Sequence, residues 1–292
     1  RPVSRDITHQ LKVNTFSTAL VKFSGAIVNN SSNIIINAFV GLALLGKYYN
    51  YLLLVSMATS LVIQVFQGLT SSVANVNAGA DREKKIEIFN VLNFLNFLLY
   101  GLGALGLALF ADAFIKVWIG EQYLLGPYTA VLVALNFYIV GMQNAVWTFK
   151  STMGFFKEGR WLIVFGAFLN LGLSILFGYL WGLEGILIAP VLSRLLTNAW
   201  YDPKIVFEKG LQLNFGVYIW RYFVYALIIT SCYLLFKYLL AFDIGSFPLL
   251  ALAVLALSAF FVAVNFVCYR NTQEVRYLKN MLGGLKARLF SK

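Results

Sequence analysis

Charge is the scarcest property of this chain. Only 12% of its 292 residues are Asp, Glu, Lys or Arg, against roughly 25% in an ordinary soluble domain. With 23 basic and 12 acidic side chains it cannot coat a soluble body of this size, which excludes a soluble enzyme and a disordered tail. Histidine is nearly absent as well. His9 stands near the N-terminus, so neither a His-rich metal cluster nor a buried Ser-His-Asp arrangement can be built. Cys232 and Cys268 each sit in an apolar run, as small buried hydrophobes do, rather than in a disulfide-stapled framework. There is no Gly-x-Ser-x-Gly and no His-Glu pair. No enzymatic activity, cofactor or metal is therefore expected. What the chain does have is apolar bulk: 60% hydrophobic and 16% aromatic residues, with a mean hydropathy of +0.76. Lipid is its expected solvent.

A membrane-spanning helix needs about 20 mainly apolar residues. Eight stretches meet that length, near 13–40, 48–76, 87–111, 124–149, 160–181, 184–200, 216–241 and 246–269. The expected fold class is an all-α integral membrane protein. Pro190 and Arg194 interrupt the sixth stretch, which a kinked helix facing protein would tolerate.

Basic residues set orientation, because Lys and Arg collect on the cytoplasmic side. Eight spans with both termini inside leave Lys47, Lys116 and Lys237 at the outer boundary and Lys22 within the first span, and the other 19 of the 23 fall on the inner side. The positive balance of +11 is thereby read as topology, and no nucleic-acid partner is expected. Aromatic residues support the same boundaries, with Tyr48, Tyr49, Trp118 and Trp181 at the outer one and Trp161, Trp200 and Trp220 at the inner one. The expected organisation is a cytoplasmic segment 1–12, a six-helix lobe 13–200, a cytoplasmic loop 201–215, a helix pair 216–269 and a basic tail 270–292 lying on anionic lipid. The chain begins Arg1-Pro2-Val3 with no initiator Met, and is expected to be the C-terminal portion of a longer polypeptide.

Polar groups at membrane depth are costly and mark function. The first span is richest, and at about 100° per residue Thr15, Thr18, Lys22, Asn29 and Asn33 share one sector, with Asn37 slightly off it. Such a stripe suits a water-filled cavity wall in which Lys22 attracts an anion and the amides serve sugar hydroxyls. It equally suits a snorkelling Lys22 and asparagines that tie helices together. Asn96, Asn144 and Arg194 complete the set of candidate cavity residues, each with interhelical bonding or topology as the plainer reading. By contrast, 216–241 and 246–269 carry few central polar groups and look like a lipid-facing pair.

Two nucleotide-type patterns occur. Gly41-Leu-Ala-Leu-Leu-Gly46-Lys47 has phosphate-loop spacing but Tyr48 where Ser or Thr is needed, and Gly101-Leu-Gly103-Ala-Leu-Gly106 lies inside an apolar span. Neither has a preceding strand, and in a membrane the small residues fit close helix packing.

Four stretches resemble a known family. Gly41-Leu-Ala-Leu-Leu-Gly46-Lys-Tyr48-Tyr-Asn-Tyr is similar to the turn between the first two helices of a lobe in bacterial polysaccharide flippases. Asn77-Ala-Gly79-Ala-Asp81-Arg-Glu83-Lys84-Lys resembles their acidic-basic loop, Phe114-Ile-Lys-Val-Trp118-Ile-Gly120-Glu-Gln-Tyr123-Leu-Leu their Trp-Ile-Gly signature, and Asn170-Leu-Gly-Leu-Ser-Ile-Leu with Trp181-Gly182-Leu-Glu-Gly185-Ile a further motif. Together these cover about 41–186. The family is the oligosaccharide flippases of the multidrug/oligosaccharidyl-lipid/polysaccharide exporter superfamily.

The resemblance implies two six-helix lobes plus a C-terminal pair, of which this chain is the second lobe and the pair. It implies a bacterial cytoplasmic-membrane protein of polysaccharide biosynthesis, moving an undecaprenyl-diphosphate-linked oligosaccharide by alternating access. It also implies an N-terminal lobe as partner and, for Lys22, contact with the diphosphate. A drug or cation antiporter of the same superfamily is expected to carry a buried carboxylate, and no acid falls at mid-membrane in the span count. A membrane glycosyltransferase or polymerase needs a long catalytic loop, which the sequence lacks. A purely structural subunit would bury its polar stripes between helices.

Overall fold

The computed structural model describes residues 5–240 and 244–280, with the side chains of 5–7, 9–10 and 28–31 outside that description. Among the described residues the protein is helical and has no strand. The helices are α1 (Arg5–Val40), α2 (Leu42–Gly79), α3 (Arg82–Ile119), α4 (Thr129–Met142), α5 (Asn144–Thr152), α6 (Arg160–Leu196), α7 (Asn198–Ile205), α8 (Gly216–Leu239) and α9 (Phe247–Tyr269). A short 3₁₀ turn, Glu121–Tyr123, and a π-helical turn, Val206–Leu211, complete them. The expected loop at 201–215 is thus largely helical, because Tyr201 to Leu211 continue as α7 and its π turn.

Six helical stretches are long and apolar enough to cross a membrane: Leu42–Gly79, Arg82–Ile119, Thr129–Thr152, Arg160–Leu211, Gly216–Leu239 and Phe247–Tyr269. The difference from the eight stretches read in the sequence arises at two places. Helix α1 has the length, at 36 residues, but its Lys, Asn, Ser and Thr content dilutes its hydropathy. Residues 160–181 and 184–200 merge into one helical stretch around Gly182.

That merger conceals a reversal. Gly182 has φ 60 and ψ −132, outside the helical region and open to glycine alone. A Cβ built on Gly166 would lie 2.9 Å from Thr197 Oγ1, yet 31 residues of straight helix would separate them by about 46 Å. Likewise a Cβ on Gly178 would meet Ile186 Cγ1 at 2.9 Å. The two arms of α6 therefore run back along each other, and the glycines of the first arm admit the side chains of the second.

Helix α3 is the central post. Phe89, Phe94, Phe97, Leu105 and Phe110 on it are buried, and α2, α4, α8 and α9 pack around it. Phe97 stacks on Tyr225 of α8 with centroids 4.0 Å apart and planes 5° from parallel. Gly101 lets Ile229 of α8 and Phe261 of α9 approach, and Gly103 admits Phe137 of α4. The Gly101–Gly103 pattern thus serves helix packing. Gly41 lies at the turn between α1 and α2, with φ 89, and no phosphate-binding loop follows it, since Leu42 already starts a helix.

Candidate functional site

Two of the long apolar helical stretches are broken, and their breaks lie side by side. Helix α4 ends and α5 begins around Gln143, and α6 gives way to α7 around Thr197, whose φ −122 and ψ −99 are non-helical. Asn198 Nδ2 donates to Gln143 Oε1 at 3.0 Å and bridges the two interruptions. Ser193 and Thr197 turn their hydroxyls onto the backbone of their own helix, at Pro190 O and Ser193 O. Pro190 has no N–H, so the helix loses one ladder bond just before Arg194.

Around this junction are two cavities. The larger, about 670 Å³, lies toward the end of the bundle where Lys150, Lys157, Arg160, Lys204 and Lys209 gather. Its wall includes Thr18 and Ser24 of α1, Thr148 and Lys150 of α5, and Arg194, Asn198 and Asp202. The smaller, about 390 Å³, lies farther along α1 and is bordered by Ser32, Asn33, Tyr48, Tyr100, Asn136 and Arg194 among others. Arg194 and Val140 border both.

Arg194 is unlike the other charges here. Its Nε is buried without a hydrogen-bond acceptor, and among the described residues no carboxylate forms an ion pair with it. Gln143 Nε2 and Asn144 Nδ2, at the break beside it, are also buried donors without acceptors, and Asn136 Oδ1 is an unpaired acceptor. Unmet buried polar groups of this kind cost about 1–3 kcal/mol each unless something occupies them.

Lys150 is neutralised. Its Nζ lies 2.6 Å from Asp202 Oδ1, and Trp147 Nε1 donates to Asp202 Oδ2 at 3.1 Å. Asp202 is 1% exposed, so its carboxylate charge rests on these two donors. Glu158, also on the cavity wall, sits 3.6 Å from Lys209. Arg160 Nη1 donates to Ser17 Oγ at 3.2 Å and pins α1 to the start of α6.

The far end of the bundle is closed. Ile35, Ile36, Leu45, Tyr48, Ile115, Leu183, Ile186 and Leu187 form a packed apolar cluster, and several of them also bound the smaller cavity. The Tyr51 hydroxyl donates to Asp112 Oδ1 across the cluster and accepts from the Leu125 N–H at 3.3 Å.

The sequence-derived candidates divide into groups. Asn33 and Arg194 border cavities. Asn96 is fully buried and donates to Gly141 O at 2.8 Å, joining α3 to α4 away from both cavities. Asn144 stands at the α5 break. Asn37 is exposed on α1. Lys22 is exposed too, one residue beyond Val21, and is absent from both cavity walls. The side chain of Asn29 lies outside the described residues.

Asp202, Lys150 and Trp147 were not among the candidates. Their signal in the sequence is faint: Trp147-x-x-Lys150 and Asn198-x-x-x-Asp202 are helical spacings that place each pair on one face, and Asp202 is a single acid flanked by Tyr201 and Pro203.

Comparison of the chain with models of known families, with curated proteins and with solved structures yields no match in any of the three.

Proposed function

We propose that the protein carries an anionic, sugar-bearing lipid, an undecaprenyl-diphosphate-linked oligosaccharide, across the bacterial cytoplasmic membrane by alternating access. In this reading the chain crosses the membrane eight times. Helix α1, about 54 Å long at 1.5 Å per residue, and the two arms of α6 supply the crossings beyond those that hydropathy alone identifies. The basic end faces the cytoplasm, as the distribution of Lys and Arg requires. Another lobe of the same polypeptide completes the path.

One observation carries the reading: Arg194, half-buried with its Nε enclosed and without a carboxylate partner, borders both cavities. A guanidinium in that state favours a multivalent oxyanion, which it can grip in bidentate fashion. Gln143 and Asn144, whose buried amide donors are unpaired, lie at the α4–α5 break behind the cavity walls. The smaller cavity supplies Tyr48, Tyr100, Asn33 and Asn136, rings and amides that suit a neutral, hydroxyl-rich group. Broken helices meeting at a polar junction are also a recurring construction of transport sites.

The test is flipping of a fluorescent lipid-linked oligosaccharide in vesicles containing the intact protein. Arg194→Gln is expected to lower the rate about tenfold, the equivalent of one charge-assisted contact, with the protein still folded. An unchanged rate would overturn the proposal.

A drug or cation antiporter is the second reading, favoured by the buried carboxylate of Asp202 on the larger cavity. It expects Asp202→Asn to abolish proton-driven drug export, an assay in which the first reading expects no signal from either protein.

A further inference from the structure

The larger cavity has four formally charged wall residues, Lys150, Glu158, Arg194 and Asp202. Two of these charges are spent on each other, since Lys150 Nζ and Asp202 Oδ1 are 2.6 Å apart, and Glu158 has Lys209 at 3.6 Å. Arg194 remains as the one wall cation without a carboxylate among the described residues. Without Asp202, Lys150 and Arg194 would both face an entering anion in a site sheltered from water, where Coulomb attraction is several times stronger than in solvent. A carrier cannot tolerate unlimited attraction, because cargo that binds too well is not released.

We infer that Asp202 limits the affinity of this cavity: it acts as an internal counter-ion that occupies Lys150 and must be displaced by the phosphate oxygens of the cargo. Asp202 is therefore a positioning residue acting through Lys150. Trp147, by donating to Asp202 Oδ2, holds the carboxylate aimed at the lysine. Lys150 lies on α5 and Asp202 on α7, the helices that follow the two breaks, so displacement of the carboxylate loosens the contact between those helices as cargo enters. The inference rests on the anion-binding reading of the site and adds to it the device that sets its strength.

Inorganic diphosphate, titrated by calorimetry into the purified chain in lipid nanodiscs, separates the possibilities. Asp202→Asn keeps the shape of the side chain and removes its charge. It is expected to tighten diphosphate binding roughly tenfold, since it frees a cation beside the anion site. A pair serving only to fasten α5 to α7 predicts the opposite sign, because loosening the site weakens binding. Lys150→Met/Asp202→Asn removes both charges and is expected to bind within about threefold of the wild type, the outcome of a cycle in which the two residues act on each other. Equal or weaker binding by folded Asp202→Asn overturns the inference.

Should that variant fail to fold, the double variant decides. Binding close to wild type supports the inference, and binding more than about tenfold weaker overturns it by showing that Lys150 serves the anion even when paired. Arg194→Gln distinguishes the two levels of argument. If it leaves diphosphate affinity unchanged, or if the wild type binds no diphosphate, the anion reading of the cavity fails and the role of Asp202 fails with it. If Arg194→Gln weakens binding while Asp202→Asn does not tighten it, only the role of Asp202 is lost.

Discussion

The α8–α9 pair and the junction of the broken helices dispose of their buried polar groups in different ways. In α9, Ser258 Oγ donates to Val254 O and Asn265 Nδ2 to Phe261 O, each four residues back on its own helix. The pair keeps two unpaired buried oxygens, Asn265 Oδ1 and Tyr218 Oη, and contributes no residue to either cavity wall. At the junction the bonds run between helices, as from Asn198 to Gln143, and the donors of Gln143, Asn144 and Arg194 are left over. A helix that only has to span lipid satisfies its polar atoms internally, since hydrocarbon offers them nothing. Unpaired buried groups also occur elsewhere, as at Asn170 and Ser174. At the junction, however, unpaired donors of Gln143, Asn144 and Arg194 stand around one helix break, and in the proposed reading such donors suit an anionic guest.

The largest effect expected from breaking this contrast is at Lys150. Lys150→Met strips Asp202 of its countercharge and leaves a carboxylate that is 1% exposed with Trp147 alone. Orphaning a buried charge costs about 3–5 kcal/mol, read as a lowered thermal midpoint of the purified protein. Arg221 offers the control, because its 3.3 Å pair with Glu274 is 31% exposed on the Arg side and worth under about 1 kcal/mol. Next comes Gly182→Val. A β-branched residue at φ 60 and ψ −132 adds strain of about 1–3 kcal/mol, and it acts on the reversal that returns the second arm of α6, with Arg194, to the junction. Its expected signature is a joint fall in thermal midpoint and in flipping rate. Loss of stability with flipping intact would detach the reversal from the site.

Much of this arrangement was readable from the chain, and what was not has a common cause. Arg194 stood out because a charge beside Pro190 in an apolar stretch requires a cavity or a partner. Asn33 belongs to the polar stripe of the first span, which suits a cavity wall. The sequence also marks an interruption between 181 and 184, and the backbone reverses at Gly182. Lys22 shares an angular sector with Thr18 and Asn33 on a straight helical projection, while the wall of the larger cavity uses Ser17, Thr18, Val21, Ser24 and Gly25 and does not include it. The Lys150–Asp202 pair joins residues 52 apart across two helices. Periodicity describes which face a residue occupies, and it carries no information on which distant helix that face will meet. Each partner alone looks like an ordinary charge near a membrane boundary, which is how Lys150 was read.

A smaller effect is expected on the apolar side of the comparison. Tyr225 stacks on Phe97 at 4.0 Å, the tightest aromatic contact between α8 and the α3 post. Tyr225→Leu keeps the apolar bulk and removes the stack, at a cost of about 1 kcal/mol in thermal stability. Flipping should remain at the wild-type rate, because the pair borders neither cavity. A loss of transport in a stably folded Tyr225→Leu protein would show that α8 and α9 take part in the cycle and would erase the distinction between scaffold and site.

The smallest effect separates two cations that the sequence treats as equals. Lys22 lies on α1, exposed and off both cavity walls, with a long flexible stem that can carry its ammonium toward a polar boundary. An exposed cation off both cavity walls is open to screening by its surroundings, so Lys22→Gln is expected to change the flipping rate by less than about twofold. Arg194→Gln, measured beside it in the same vesicles, is expected to act several times more strongly because the Arg194 Nε is buried and its side chain borders both cavities. If Lys22→Gln were the more damaging of the two, the anion would have to travel along the exposed face of α1. The junction of broken helices would then be a structural seam, with its surplus donors left unexplained by cargo.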